Sequence, residues 1–218
     1  MRHLAQPVVL KSAALAALVT TLASYPSIVF WLKRPEPIWY LEAMIFFCCM
    51  VLWGFVFAWH TVYAHRPLWV LKPEPGPFLA VTALAAGTAA VFHWFIDPAL
   101  RPLAPEEYPG DLKHWFAAVL FALFFNRLFL LFAPFAWLVR LLKNPRVAAG
   151  LTVLFGAVVL TMKVRALATP VPPALFAALL IGRVVMGFLA VWFYLRGGVI
   201  LIWWWTLLFE ARHLVNFE

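Results

Sequence analysis

From Ser12 almost to the last residue, the chain is a series of long apolar runs separated by short breakers. About 20 consecutive apolar residues is the length that crosses the hydrocarbon core of a bilayer as a helix. Seven runs reach a meaningful length: about Ser12 to Leu32, Ile38 to Tyr63, Pro77 to Ile96, Trp115 to Leu142, Val147 to Met162, Pro173 to Leu195, and from after Gly197-Gly198 to near the C-terminus. The breakers between them carry Pro35 and Pro37, Pro75 and Pro77, Pro102 and Pro105, and Gly197 and Gly198. Proline and glycine are the residues that interrupt helices most strongly. The expected fold is therefore all-α, a polytopic integral membrane protein of about seven transmembrane helices. Composition agrees: 66% of the residues are hydrophobic and 12% are charged, more apolar surface than a soluble domain could bury.

The start of the chain resembles a signal peptide, with Arg2 and Lys11 ahead of an apolar run and Leu22-Ala23-Ser24 at a possible cleavage point. Apolar character resumes at Ile28 to Leu32, so this stretch is read as an uncleaved first helix with Pro26 as a kink. Basic residues divide almost evenly between the two sides of a seven-span layout, so the positive-inside rule does not orient it. The orientation adopted puts the N-terminus in the cytoplasm of a bacterial inner membrane. The net charge of +8 is read as a response to anionic lipid headgroups rather than to nucleic acid. The adjacent Cys48 and Cys49 are read as buried small hydrophobes.

Charges at membrane depth are the candidates for function, because they are costly in hydrocarbon and face protein or a cavity. Arg127 lies about twelve residues, roughly 18 Å, into the fourth run, and Arg183 about ten residues, roughly 15 Å, into the sixth. Glu210 falls at a similar depth in the seventh and is the expected counter-ion of one of these arginines. With Asn216 these residues form an expected buried polar network. Glu210 and His213 have the Glu-x-x-His spacing of di-iron helices, and His93 and His114 fall towards the same side, so these four are the candidate metal ligands. A second Glu-x-x-His helix is missing from the sequence, so the expectation is no metal and no other cofactor, with bound lipids instead. Glu106-Glu107, inside Ala-Pro-Glu-Glu-Tyr-Pro-Gly, reads as part of a solvated loop running from Asp97 to His114. Trp203, Trp204 and Trp205 are consecutive on one helix and point about 100° apart. One core face cannot hold all three, so they are read as an interface to lipid or to partner helices.

Several short stretches carry a family resemblance: Phe125-Asn126, Leu141-Leu142-Lys143, Ala148-Ala149-Gly150-Leu151-Thr152, Phe193-Tyr194-Leu195-Arg196-Gly197-Gly198, and Asn216. In their layout the chain from about Trp115 onward resembles the CPBP intramembrane proteases, which include the CAAX prenyl endopeptidases and bacteriocin-processing enzymes. The resemblance implies an N-terminal three-helix part over residues 1–114 and a CPBP-like four-helix part over residues 115–218, within one transmembrane domain. It also implies a lost activity. The family's Glu-Glu pair falls on Leu130-Leu131, its Arg on Phe135 and its first His on Val159; the last His falls on Arg212, with His213 one place out of register. Apolar side chains cannot activate water. The expected function is thus a non-catalytic subunit or assembly factor of a larger membrane complex, in contact with lipids and other transmembrane subunits. Two alternatives remain: a CPBP-type protease or metal-dependent membrane hydrolase, and a binder of an isoprenoid, quinone or pigment tail.

Overall fold

The computed structural model describes residues 6–32, 38–64 and 67–216. Among them the chain is mostly helical, with no strand, and six helices are long and apolar enough to cross a membrane. They are α1 (Pro7–Leu32), α2 (Ile38–Ala58), α3 (Pro75–Leu100), α4 (Leu112–Leu142), α5 (Pro145–Arg165) and α6 (Pro173–Glu210). The chain is an all-α polytopic integral membrane protein. It divides into two compact units. Unit 1 holds Met1–Leu68 and Phe116–Ala148; unit 2 holds Trp69–Trp115 and Ala149–Glu218.

Unit 1 is built on a stripe of small residues along α1. Ala13, Ala17, Thr20, Ser24 and Ser27 recur every three or four positions and are all buried. In lipid, helices associate by close packing and interhelical hydrogen bonds, which small residues permit. Two such bonds cross the seam. The Trp53 indole N–H of α2 donates to Thr20 Oγ1 at 2.9 Å, and Ser27 Oγ donates to the Ala117 carbonyl of α4 at 2.8 Å. Phe132 lies against Trp53, and Phe135 meets Trp59 edge-on.

Several helices contain wide π-turns, and two have a local cause. Phe92–Ile96 precedes Pro98, and Leu128–Phe132 precedes Pro134. Proline lacks an N–H, and its ring clashes with the carbonyl four residues back, so a wider turn relieves the strain without ending the helix.

Unit 2 turns on Gly198. Its φ of 63° and ψ of −153° are open in practice only to glycine, and they break α6. The break folds α6 back on itself. Phe193 and Trp205 would lie roughly 18 Å apart along a straight helix, yet their ring centroids are 5.2 Å apart. Residues 173–197 and 199–210 therefore act as two segments, which recovers the division expected at Gly197-Gly198. The second is short, about 18 Å, before it tightens into the 3-10 turns of Ala211–Asn216. Breaking a helix frees backbone groups that hydrocarbon cannot satisfy. Trp69 answers this by pairing with Gly198 in an antiparallel bridge.

Candidate functional site

The polar cluster of unit 2 gathers where the end of α3, the loop after it, the first turn of α4 and the last turns of the chain meet. At its centre is an ion pair: Arg212 Nε donates to Asp97 Oδ2 at 3.0 Å. Both side chains are buried, with 10% and 7% exposure. Asp97 was expected in a solvated loop. Instead, helical structure continues through Leu100 after the π-turn, and this buries the carboxylate. Tyr108 OH donates to the other oxygen, Asp97 Oδ1, at 3.0 Å. Pro109 favours an extended conformation in the residue before it, and Tyr108 has φ −106° and ψ 120°. Burial first, and the Asp97 carboxylate second, push the Tyr108 phenol pKa well above its ordinary value.

Arg212 is held from further directions. Its Nη1 donates to the Phe209 carbonyl at 2.8 Å and lies 3.9 Å from Glu210 Oε2. The guanidinium stands 3.9 Å from the Phe209 ring centroid and 5.6 Å from that of Phe92, within cation–π range. Glu210 Oε2 is 3.7 Å from His213 Nε2, and the Glu210 carbonyl accepts the Trp115 indole N–H at 2.9 Å. His213 is buried and meets Tyr108 edge-on. The arrangement joins the final turns of the chain to three other segments of the unit.

Within unit 2, Glu210 has Arg212 and His213 as ionic neighbours, and Arg183 does not pair with it. A Cβ at Gly182 would touch the Phe92 ring at 3.8 Å, so Gly182 faces α3. Arg183, the next residue, points about 100° away, and its guanidinium lies over Gly156 of α5. Arg127 lies in unit 1, half-buried between the π-turns Ala122–Asn126 and Leu128–Phe132. The side chain of Asn216 lies outside the described residues.

Of the four candidate metal ligands, Glu210 and His213 lie together. His114 is exposed, and Asp111 receives both its backbone N–H and its ring Nδ1, at 2.8 Å each. Those bonds to His114, the backbone one first, hold the Asp111 carboxyl below the ordinary range. The Nδ1 atoms of His93 and His213 are buried without a hydrogen-bond partner. Among the described residues, no three His, Cys, Asp or Glu side chains form a metal-holding group. Glu106 and Glu107 are exposed as expected, and Glu107 pairs with Lys163.

The three tryptophans divide by direction. Trp205 is turned inward against Phe193 and is 2% exposed, so it is not available to a partner. Trp204 stacks on Phe78 and donates its indole N–H to Thr82 Oγ1 at 3.0 Å. Trp203 lies against Trp69. Trp203 and Trp204 stay half-exposed.

Comparison with family models, curated proteins and solved structures finds no match for this chain.

Proposed function

We infer that the chain is a non-catalytic integral membrane subunit or assembly factor that packs against lipids and the transmembrane helices of a larger complex. The observation that carries this reading is that the central polar groups of unit 2 engage one another. Asp97 takes Arg212 and Tyr108, and Arg212 also takes the Phe209 carbonyl. Such groups hold a helix end in place; they do not present a nucleophile or a base to a substrate. The helix surfaces support the same reading. Only 17% to 39% of each span's apolar window is buried within the chain. Trp39, Phe47, Trp94, Phe95 and Phe116 are among the exposed aromatics. Large aromatics are favoured both at interface cores and at headgroup level. The resemblance to a protease core without its water-activating residues fits the same reading, since Leu130, Leu131 and Val159 carry no titratable group.

The test is native mass spectrometry after extraction in mild detergent, paired with cross-linking in native membranes. Recovery of a defined complex containing this chain supports the reading. A monodisperse monomer with no cross-linked subunit removes it. A second reading, a membrane hydrolase, draws on one observation: the Nδ1 atoms of His93 and His213 are unpartnered, and Glu210 lies 3.7 Å from the His213 ring. Peptide cleavage by the purified protein, abolished by Glu210→Gln, would establish that reading and overturn the first.

A further inference from the structure

Arg183 is a charge at membrane depth that lies outside the polar cluster of unit 2. It lies about ten residues into α6, roughly 15 Å from the start of that helix. Its guanidinium rests on α5 at Gly156, where a Cβ would come within 2.5 Å of Nη2 and 2.8 Å of Nε. Gly156 is itself roughly 16 Å from the start of α5 and roughly 14 Å from its end. Basic residues mark both ends of α5: Arg146 at one, Lys163 and Arg165 at the other. Two helices thus place the same guanidinium near the middle of the hydrocarbon layer.

An arginine near an interface can extend its side chain towards headgroups. This one instead lies across to a neighbouring helix at the same depth. Among the described residues Arg183 makes neither a hydrogen bond nor an ion pair, and it remains half-buried rather than sealed. The missing side chain at Gly156 is what makes room for it. An unpaired cation in hydrocarbon is costly, and a carboxylate is the group that best fits a guanidinium fork, through two parallel hydrogen bonds.

We propose that Arg183, seated on Gly156, is the docking point for a partner's transmembrane helix that carries an Asp or Glu near its own midpoint. This rests on the reading of the chain as a complex subunit and names the chemistry of the contact. A lipid phosphate is the other anion of a membrane, but it lies about half a bilayer, roughly 15 Å, from the guanidinium in either direction. The depth therefore selects a helix-borne carboxylate.

The probe is a Leu/Ala transmembrane peptide of about 25 residues with a single central Glu, compared with the same peptide carrying Gln. Association with the full-length chain is read by energy transfer in phosphatidylcholine vesicles. The Glu peptide is expected to associate about fivefold more tightly than the Gln peptide, and Arg183→Gln to reduce that ratio to about one. Circular dichroism of the variant checks that its helices are intact. Equal association of the two peptides, or a preference that persists in Arg183→Gln, overturns the proposal. So does a phosphatidylglycerol molecule retained by the wild-type chain and lost from Arg183→Gln in native mass spectrometry, because the occupant is then a lipid. In native membranes, a subunit that co-purifies equally with wild type and Arg183→Gln removes this contact but leaves the subunit reading standing. Failure of any subunit to co-purify removes the subunit reading itself.

Discussion

Replacing Arg212 with Leu tests the polar cluster most directly, and the structure sets the size of the effect. The guanidinium makes one charge-assisted bond to Asp97 at 3.0 Å and one to the Phe209 carbonyl at 2.8 Å. Hydrogen bonds to charged groups contribute about 1.5–3 kcal/mol each, and removing one member of a buried pair costs about 3–5 kcal/mol. Arg212→Leu should fall near the upper end, about 5 kcal/mol, because it leaves the buried Asp97 carboxylate without its guanidinium and also removes the bond to the Phe209 carbonyl. Asp97→Leu should fall near the lower end, about 3 kcal/mol, since Glu210 at 3.9 Å can take over as counter-ion. The double variant should be destabilised by about 6 kcal/mol, less than the sum of the two single effects, with a coupling of about 2 kcal/mol. The assay is reversible unfolding by added SDS in mixed micelles, followed by tryptophan fluorescence and circular dichroism. Single effects that add to within about 0.5 kcal/mol would refute the pairing, because residues in contact do not add.

Gly198→Ala should destabilise the chain by about 1–3 kcal/mol, read as a lower unfolding midpoint in detergent, because no other residue tolerates its φ of 63° and ψ of −153°; an unchanged midpoint would mean the break in α6 is absent in the membrane. The Tyr108 phenol is held in its protonated form in the folded chain, so its contribution to stability is full below the ordinary tyrosine pKa of about 10 and is lost as pH rises further. Ultraviolet titration of wild type and Tyr108→Phe should therefore coincide through about pH 11; loss of a tyrosinate step near pH 10 in the variant would count against the Asp97 contact.

The span boundaries were legible because lipid imposes a simple rule: a crossing helix must be apolar over its full length. The Gly197-Gly198 break was legible for the same reason, as a breaker inside an otherwise uniform run. What hydropathy does not encode is which side of each helix faces protein. A face against lipid and a face against another helix are both apolar, so periodicity could not separate the inward Trp205 from the half-exposed Trp203 and Trp204. A usable signal did exist on α1, where Ala13, Ala17, Thr20, Ser24 and Ser27 repeat at helical spacing and mark the packed side. Half of the polar cluster could be read, since Glu210, Arg212 and His213 are conspicuous in an apolar helix. Asp97 escaped because hydropathy ends the third run at Ile96. The π-turn that lets helical structure continue to Leu100 depends on Pro98, an effect the hydropathy scale does not record.

The case of Arg183 and Glu210 shows why depth is an incomplete guide to partners in a membrane. Counting at 1.5 Å per residue places both near the same level, and the fold agrees. Gly182 and Phe209, their respective neighbours, both lie against Phe92 although they would be roughly 40 Å apart on a straight helix. The two charges could meet only if their side chains also pointed towards each other. Each residue rotates the helix by about 100°, so the turn that sets Gly182 against α3 directs Arg183 to α5 instead. Glu210 stays with Arg212 and His213, and Arg183 comes to rest where α5 offers a bare glycine. That rotation leaves Arg183 as a charge at membrane depth outside the buried cluster, and that charge requires an anion from outside the cluster.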